Sequence, residues 1–442
     1  VPMNRRQWLR GAAAVAAGLL RPVRIGRFDP VLDAQAPGIV RWMWSGAVTS
    51  SSATVVARVL AGSGSVRLRV RPVAGGAGTL VEPRLIPEWH IARFDIVGLR
   101  PATTYIYDIL LDGVAWATTG RFRTMNDGPH DAVVLFGSCA STGSNARVWE
   151  TMGAVGADLL IHMGDFHYED IARNEPALFH QAYDRCLMSP RQSACYRGTP
   201  VAYVWDDHDF GKNDSDGTLP GKENARQAFL NYRAQVSYGL NDEGIFTKFR
   251  HGPVEVFMID ARWFSWTGPS FADPSKKTLL GEAQWRWLCE GLRASDAPFK
   301  LLITGIMWHD KQNKEKDDWG TYPHELDALF NFIREEKIEG VVLVGGDVHC
   351  SRIYRHTPSV SVGYPIYELV SSPAHSRTIP ALNIKHPNVV RAAVVPNTFL
   401  LIEVDRSENG DVATLRAKFL DSKGERLFDD LDLRGIGQLR RV

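Results

Sequence analysis

Six apolar segments between residues 131 and 349 are each followed directly by side chains that can bind a metal ion or move a proton. Each segment has the length and composition of a buried β-strand. The polar groups follow in Gly137-Ser138-Cys139, Gly164-Asp165-Phe166-His167-Tyr168, Asp206-Asp207-His208-Asp209, Asp260-Ala261-Arg262, Trp308-His309-Asp310 and Gly346-Asp347-Val348-His349. Ligands of open α/β sheets bind at the carboxyl ends of the strands, so these six ends predict one shared site.

The candidate donors in these loops combine a thiol, a phenol, carboxylates and an imidazole. They are Cys139, Asp165, Tyr168, Asp206 or Asp207, Asp347 and His349. Carboxylates at this density raise one another's pKa unless cations lie between them. Phenolate and carboxylate oxygens suit ferric iron better than zinc, and an oxygen-rich neighbouring position suits calcium. Two such metal ions activate a bridging water as hydroxide and stabilise its in-line attack at phosphorus.

Helix capping is the alternative role for the aspartates at the strand ends. It accounts for one aspartate in each loop. It does not account for Cys139, Tyr168 or the histidines, and we therefore favour a single polar site.

Two different patterns of apolar segments divide the chain into two predicted domains. In residues 127–442 the apolar segments alternate with longer helical stretches, which indicates an α/β sheet buried on both faces. Residues 37–126 contain about seven short strands separated by glycine-containing turns, which predicts an antiparallel β-sandwich. Within that region, Val97–Tyr105 and Gly120–Thr124 resemble a fibronectin type III domain.

Residues 1–36 have the three parts of a secretory signal peptide. A basic start with the pair Arg5 and Arg6 precedes the alanine-rich segment 11–20, and Ala34-Gln35-Ala36 offers a cleavage site. The arginine pair predicts export by the twin-arginine machinery to the periplasm or the cell exterior. An amphipathic first helix is the alternative.

Composition narrows the possible partners. Lysine plus arginine number 51 and aspartate plus glutamate 50 among the 442 residues, so no broad basic surface is expected for nucleic acid. No run of 18 apolar residues occurs, so we expect no transmembrane anchor.

The five cysteines are too few for a disulfide-built scaffold. Cys186 and Cys195 could close a small disulfide loop in an oxidising compartment, and Cys289 and Cys350 are the remaining candidates for a bridge. A buried free thiol is the alternative for each, and we prefer it for Cys289.

Four motifs, in their order along the chain, resemble those of the PhoD-like alkaline phosphatases, a branch of the calcineurin-like metallophosphoesterase superfamily. They are Gly137-Ser138-Cys139, Gly164-Asp165-x-x-Tyr168, Trp205-Asp206-Asp207-His208 and Gly346-Asp347-Val348-His349. The resemblance implies a metallophosphoesterase-type β-sandwich flanked by helices and preceded by the small β domain. It also implies alkaline phosphatase or phosphodiesterase activity with Fe³⁺ and Ca²⁺, in preference to Zn²⁺ or Mn²⁺.

The same resemblance implies a set of metal ligands. These are Cys139, Asp165, Tyr168, Asp207, Asn213, Asp347 and His349. Asp165 would bridge the two metal positions, with Cys139 and Tyr168 on iron and Asp207 on the second metal. The family commonly has glutamate and asparagine after Asp-Asp-His; here Asp209 follows, and Asn213 is the nearest asparagine.

His208, Asp165 and Arg262 are the implied catalytic residues. His208 would face the phosphate and protonate the leaving oxygen. Arg262 would clamp the phosphate, with a structural ion pair as the alternative. His309 would be either a metal ligand or a residue behind the ligands.

Small phosphate esters are the expected substrates. A phospholipase D-type reaction on phospholipids is the alternative, with Trp263, Trp266 and Trp308 able to contact a lipid or a nucleoside unless they pack in the core. The non-enzymatic alternative is a cell-surface binding protein with an inactive site. The number of costly carboxylates opposes it.

Overall fold

The computed structural model describes residues 40–60, 64–128, 130–235, 237–312, 317–358, 361–374, 377–383, 385–406 and 412–434. The predicted signal peptide, residues 1–36, lies outside the described residues. Among those described, none of the helices combines the length and apolarity that a bilayer crossing requires.

The first part of the chain forms two antiparallel β-sheets that share a core. Its strands are β1 (Val40–Gly46), β2 (Ser52–Val59), β3 (Val66–Pro72), β4 (Thr79–Val81), β5 (Arg84–Ile86), β6 (Ile91–Val97), β7 (Thr104–Leu111), β8 (Val114–Ala115) and β9 (Gly120–Arg123). One sheet has the order β1-β2-β6-β5 and the other β4-β3-β7-β8, with β9 on β7. Val55 and Phe94 of the first sheet pack with Tyr107 and Phe122 of the second. The described residues of this region form nine strands where about seven were expected, and the likeness to fibronectin type III stays a prediction.

The second part of the chain has two larger sheets. Their strands are β10 (Ala132–Gly137), β11 (Leu159–Met163), β12 (Val201–Val204), β13 (Thr247–His251), β14 (Val254–Met258), β15 (Phe299–Ile303), β16 (Val341–Gly345), β17 (Ser351–His356), β18 (Ile366–Val370), β19 (Val389–Ala393), β20 (Thr398–Arg406), β21 (Ala413–Asp421) and β22 (Leu431–Arg434). The sheet orders are β12-β11-β10-β20-β21-β22 and β13-β14-β15-β16-β18-β17-β19. Neighbouring strands run parallel from β10 to β12 and again through β14, β15, β16 and β18. The mixed α/β fold class is confirmed.

Helices cover the outer faces of these sheets. They are α1 (Val148–Val155), α2 (Pro176–Leu187), α3 (Pro190–Gly198), α4 (Asp207–Phe210), α5 (Lys222–Tyr232), α6 (Gly281–Ala294) and α7 (Pro323–Glu335). Alternation along β15 shows the layering. Leu301 and Ile303 pack into the core between the sheets, whereas Leu302 packs with residues of α6 and α7. The predicted burial of the central strands on both faces is therefore confirmed.

Asp184 joins the first part of the chain to the second. Its carboxylate accepts hydrogen bonds from Trp42 Nε1 at 2.8 Å and from Tyr232 Oη at 2.9 Å, and it forms an ion pair with Arg58. Trp42 and Arg58 belong to β1 and β2, and Asp184 belongs to α2. The side chains of Arg58 and Asp184 are only 19% and 14% exposed, so the pair is poorly hydrated.

We expect Asp184→Ala to lower the free energy of unfolding by roughly 2–4 kcal/mol, because it leaves the half-buried Arg58 without its partner. Asp184→Asn keeps a hydrogen-bond acceptor and should cost less. Urea unfolding measures both. Asp432→Asn, which breaks the exposed pair with Arg416, is the control and should cost under about 1 kcal/mol. An Asp184→Ala loss no larger than this control would contradict the prediction.

Arg233 lies buried in a cage of aromatic rings behind the candidate site. Its guanidinium carbon lies 3.8 Å from the ring centre of Tyr203, 4.7 Å from that of Phe166 and 4.8 Å from that of Trp44. Cation–π attraction compensates part of the cost of burying this charge. Trp44 belongs to β1 and Phe166 follows Asp165 in the chain, so the cage connects the first part of the chain to the loop that carries Asp165.

His162 of β11 is buried in the same aromatic cluster, 5.0 Å from the ring of Phe166 and 5.5 Å from that of Tyr203. Burial lowers its pKa from 6.5 to about 3, and the charge of Arg233 adds to the effect. The folded protein therefore holds this ring neutral, while the unfolded chain takes up a proton below about pH 6.5. The stability that depends on neutral His162 is complete above pH 6.5 and falls as the pH drops toward 3.

We expect His162→Phe to resist acid better than the unmodified protein. The difference in unfolding free energy between the two should grow by roughly 3 kcal/mol in favour of the variant between pH 7 and pH 4. Urea unfolding of the metal-free proteins across this range measures it. Tyr196→Phe changes a neutral ring in the same cluster and should give a constant offset. A constant offset for His162→Phe as well would show that its ring does not titrate differently on unfolding.

Candidate metal centre

The strand ends named from the sequence converge in the structure. Cys139 follows β10, Asp165 follows β11, Asp207 follows β12, and Asp347 and His349 follow β16. Four of these five residues have left-handed backbone conformations, with φ of +58° at Cys139, +52° at Asp165, +71° at Asp347 and +51° at His349. Such angles are uncommon outside glycine and cost energy, so the fold holds strained turns where the donors are.

Gly164 makes one of these turns possible. Its φ is +83°, and a Cβ atom placed there would lie 2.5 Å from Cβ of Asp206. A larger residue would push the loop after β11 away from the loop after β12. The glycine therefore lets Asp165 approach the carboxylates that follow β12.

Asp165 is common to three groups of donors, and within each group the donor atoms lie within 4.8 Å of one another. The groups are Cys139 with Asp165 and His349, Asp165 with Asp207 and His208, and Asp165 with Asp206 and Asp347. Tyr168 joins the first group, because its hydroxyl donates to Oδ2 of Asp165 at 2.8 Å and lies 3.0 Å from Nε2 of His349. One carboxylate thus lies between a mixed sulfur, nitrogen and oxygen environment and an oxygen-rich one.

The pKa values of three ionisable groups of the centre are raised. Burial, with repulsion from Asp207 and Asp206, raises the pKa of Asp165 well above its ordinary value. Burial also raises the pKa of the Cys139 thiol and of the Tyr168 phenol, and in both cases the charge of Asp165 adds to it. These groups therefore resist ionisation unless positive charge is supplied.

Two other carboxyls titrate differently because cationic side chains lie beside them. Burial raises the pKa of Asp347 to about 7, although Lys311 opposes the shift. The pKa of Asp207 is lowered to about 2, because Arg262 and His208 outweigh the effect of burial.

These residues fit bound cations. Oδ1 of Asp165 and Oδ2 of Asp206 are buried acceptors without a hydrogen-bond partner among the described residues. Five carboxylates crowd the centre against the cations of Arg262 and Lys311. These carboxylates are those of Asp165, Asp206, Asp207, Asp317 and Asp347. The excess negative charge and the unused acceptors are what metal ions would compensate.

Helix capping, the alternative for the aspartates, applies to Asp206 and Asp209. They form the capping box of α4. Asp209 accepts the backbone N–H of Asp206 at 3.0 Å and that of Phe166 at 2.8 Å. Asp209 therefore ties the loop after β12 to the loop after β11.

His208 lies at the mouth of the centre. Its Nδ1 is 2.8 Å from Oδ1 of Asp170, and its ring centre is 4.2 Å from that of Tyr168. Sequence reasoning missed Asp170, although it lies only two residues beyond Tyr168. Asn213 is exposed, and its backbone N–H donates to Asp170 at 3.0 Å. Its role as a metal ligand stays a prediction.

Arg262 is buried and takes part in ion pairs. Its guanidinium contacts Asp206 and lies 3.3 Å from Asp317. Of the two roles predicted for Arg262, the ion pair is the one that the structure shows. Lys311, which sequence reasoning missed, has its Nζ 2.6 Å from Asp317 and 2.5 Å from Asp347. Its position directly after Trp308-His309-Asp310 could have identified it as a site residue from the sequence.

His309 belongs to a different polar group. Its Nδ1 lies 2.8 Å from Glu368, and its Nε2 lies 3.2 Å from Arg352. The structure therefore engages both ring nitrogens of His309 with protein side chains. This favours the second of its two predicted roles, a residue behind the ligands.

The structure decides between the alternatives left open for the cysteines and the tryptophans. The cysteines of the described residues are all free thiols, so the Cys186–Cys195 bridge is wrong. Cys186 instead donates to the carbonyl of Phe166 at 3.0 Å. Trp263 and Trp308 are buried in the two core clusters and cannot contact a substrate.

A cavity of about 230 Å³ adjoins the centre. Trp266, Tyr322 and Leu279 give it apolar walls, and Asp214 and Asp317 line its polar side. The same two aspartates form a further acidic group with Asp207. A substrate held at the centre therefore has room for a group of modest size beside the carboxylates.

Comparison with known proteins agrees with this architecture. The family model for PhoD-like phosphatases matches residues 134–412, well over half of the chain. Alkaline phosphatase D of Bacillus subtilis (strain 168) is 23% identical over 314 residues, which cover 59% of this chain and 54% of that protein. The chain thus matches about half the length of this curated relative. A solved structure of PhoD has a TM-score of 0.70 at 16% identity and covers 89% of this chain and 93% of its own, which shows a shared fold. On the extent of the family match, the chain belongs to the PhoD-like phosphatase family.

Proposed function

We propose that this protein is a metal-dependent phosphoric ester hydrolase that acts on phosphate monoesters or diesters. The observation that carries the proposal is the position of Asp165, which is shared by three donor groups at the carboxyl ends of parallel strands. A carboxylate between two cation positions is the arrangement that dinuclear phosphoesterases require. Family membership supports the same reaction class.

We propose Fe³⁺ for the group of Cys139, Asp165, Tyr168 and His349. Its thiol, phenol and imidazole suit a transition metal better than calcium. Ca²⁺ is proposed for the oxygen-rich side, where Asp207 and Asp347 lie near Asp165. When bound, the two cations would supply Lewis acidity that activates water and stabilises charge on the phosphate oxygens.

The protein's own groups then position and protonate the substrate. In its protonated form His208 donates Nδ1–H to Asp170 and presents Nε2–H to the leaving oxygen. Arg262 and Lys311 hold Asp206, Asp317 and Asp347 in place through ion pairs. The cationic side chains thus serve the carboxylates rather than the phosphate directly.

Purification with metal quantification, followed by hydrolysis assays, tests the proposal. We expect iron and calcium in the protein and hydrolysis of p-nitrophenyl phosphate, bis(p-nitrophenyl) phosphate or both. Activity should disappear with chelation and return with the two metals. Protein that folds in iron-replete cells yet holds no metal and hydrolyses neither ester would favour the binding-protein alternative.

We expect Tyr168→Phe to remove the visible charge-transfer colour of the iron-loaded protein, because a phenolate bound to ferric iron produces it. Absorption spectroscopy at equal iron content measures the change. Tyr367→Phe, a half-buried tyrosine on β18, is the control and should keep the colour. A colourless parent protein at full metal loading would point to a different metal.

A phospholipase D-type reaction is the second candidate, and the cavity walled by Trp266 and Tyr322 favours it. This cavity offers apolar surface beside the centre for part of a diester. Release of choline from phosphatidylcholine vesicles tests it, with Trp266→Ala expected to reduce that rate more than the rate on p-nitrophenyl phosphate. An equal reduction on both substrates would leave the small ester as the better assignment.

Export by the twin-arginine route to the periplasm or exterior remains our proposal for residues 1–36, supported by the Arg5-Arg6 pair. The fibronectin-like character of residues 37–126 is also a proposal, and the resemblance of Val97–Tyr105 and Gly120–Thr124 supports it.

A further inference from the structure

A second and larger cavity, of about 580 Å³, lies between the two domains. It includes Leu159 at the start of β11 and Pro200 just before β12, whereas the metal centre lies at the opposite, carboxyl ends of these strands. The loop after β1, the connection between the domains and strand β13 complete its wall. None of the proposed metal ligands lines it.

The wall of this interdomain cavity is mainly apolar. Val48, Met125, Leu159 and Phe249 contribute side chains from both domains. Its volume exceeds what one or two water molecules fill and lies within the range of small-molecule sites. An apolar body of the size of two fused rings would fit.

Two buried polar side chains of the cavity have atoms without a hydrogen-bond partner among the described residues, which indicates a place for a ligand. Gln235 lines the cavity and is 3% exposed, and its Oε1 has no hydrogen-bond partner among the described residues. His251 is 4% exposed, and its Nδ1 also has none, while its Nε2 lies 3.8 Å from Asp158. Buried acceptors and donors are normally satisfied, so a bound polar group is the simplest partner for both side chains.

The charged residues of the cavity favour an anion. Arg123, Arg250 and Arg406 line it against Asp127 and Asp158. Arg250 is already paired with Asp296 at 3.1 Å. Arg123 and Arg406 form no ion pair with another described residue, and both are exposed at the cavity edge. Their guanidinium groups suit the carboxylate of an organic anion.

We propose that the interdomain cavity binds a small organic anion with a planar apolar body and a hydrogen-bonding group. The apolar body would pack against Leu159 and Phe249, its polar substituent would reach Gln235 and His251, and its anionic group would face Arg123 and Arg406. This site is separate from the metal centre and does not depend on the proposed hydrolytic activity.

Binding of 6-hydroxy-2-naphthoate to the metal-loaded protein tests this site. Calorimetry gives the affinity and stoichiometry, first without phosphate and then with inorganic phosphate at a concentration that fills the metal centre. We expect one molecule per chain with a Kd below about 1 mM, given the usual affinity per atom of small ligands. The uncharged analogue 2-naphthol should bind at least about tenfold more weakly, because it lacks the group that faces the arginines.

Variants at the edge of the cavity separate this site from others. Arg123→Glu with Arg406→Glu should raise the Kd at least about tenfold, since each change replaces attraction by repulsion. Arg84→Glu with Arg100→Glu, also exposed in the first domain but outside the cavity, should leave it unchanged. Met125→Trp should abolish binding by filling the space and leave hydrolysis of p-nitrophenyl phosphate unchanged. Absence of binding at millimolar probe, displacement of the probe by phosphate, or equal affinity in the Arg123/Arg406 variant would overturn the proposal.

Discussion

Replacing Asp165 with asparagine is expected to remove both metals and to lower turnover at least about 10³-fold. The side chain is common to three donor groups, so neither cation keeps its shared ligand in the variant. Asparagine has nearly the same shape, and its carbonyl can still accept the hydroxyl of Tyr168. Loss of metal in this variant would therefore come from the lost charge rather than from a collapsed loop. Metal quantification and assays with p-nitrophenyl phosphate measure both effects.

The metal-free protein should respond to the same change in the opposite direction. Burial and the neighbouring carboxylates raise the pKa of Asp165 well above its ordinary value, so a charged Asp165 costs folding free energy in the metal-free protein. Asparagine removes that cost. Metal-free Asp165→Asn should therefore be more stable than the metal-free parent at pH 7, and the difference should shrink as the pH falls toward 4.

Glu169→Gln is the matched control for Asp165→Asn. Glu169 lies next to Tyr168 in the chain but pairs with Arg185 at the surface. This variant should keep its metals, its turnover and the stability of the parent protein. Retention of both metals by Asp165→Asn would contradict the bridging role. A metal-free variant less stable than the parent at pH 7 would contradict the raised pKa of Asp165.

The positions of the ligand loops could be predicted because each depends on a local pattern. A short apolar strand followed by polar residues indicates a strand end wherever it occurs, and parallel strands bring their carboxyl ends to one edge. Cys139, Asp165 and His349 were found in this way and lie together in the structure. Tyr168 was found in the same way, because it lies three residues after Asp165 in the same loop.

The partners of these residues could not be predicted, because they depend on contacts between distant segments. Lys311 reaches Asp347 across 36 positions of the chain, and Arg262 reaches Asp206 across 56. No pattern within a short stretch of sequence indicates that two such distant residues form a pair. The Cys186–Cys195 bridge failed because the Cys186 thiol instead donates to the carbonyl of Phe166, 20 positions earlier in the chain.

His208→Ala is expected to keep both metals and to lose about 10²–10⁴-fold of turnover, the usual contribution of a positioned acid or base. His208 lies close to Asp165 and Asp207, so its ring could in principle bind a cation. The hydrogen bond that Nδ1–H donates to Asp170 instead favours a fixed orientation, in which the protonated ring turns its Nε2–H toward the substrate. Metal content distinguishes the two roles, because loss of a metal from His208→Ala would make this residue a ligand.

The leaving group of the substrate tests the role of His208 more sharply. An alkoxide needs a proton as it departs, whereas p-nitrophenolate leaves readily without one. His208→Ala should therefore lose at least about tenfold more activity on glycerol phosphate than on p-nitrophenyl phosphate. Asp170→Asn should give a smaller loss with the same dependence on the leaving group, because it disturbs only the orientation of the ring. Equal losses on both esters would show that His208 stabilises charge on the phosphate and does not protonate the departing oxygen.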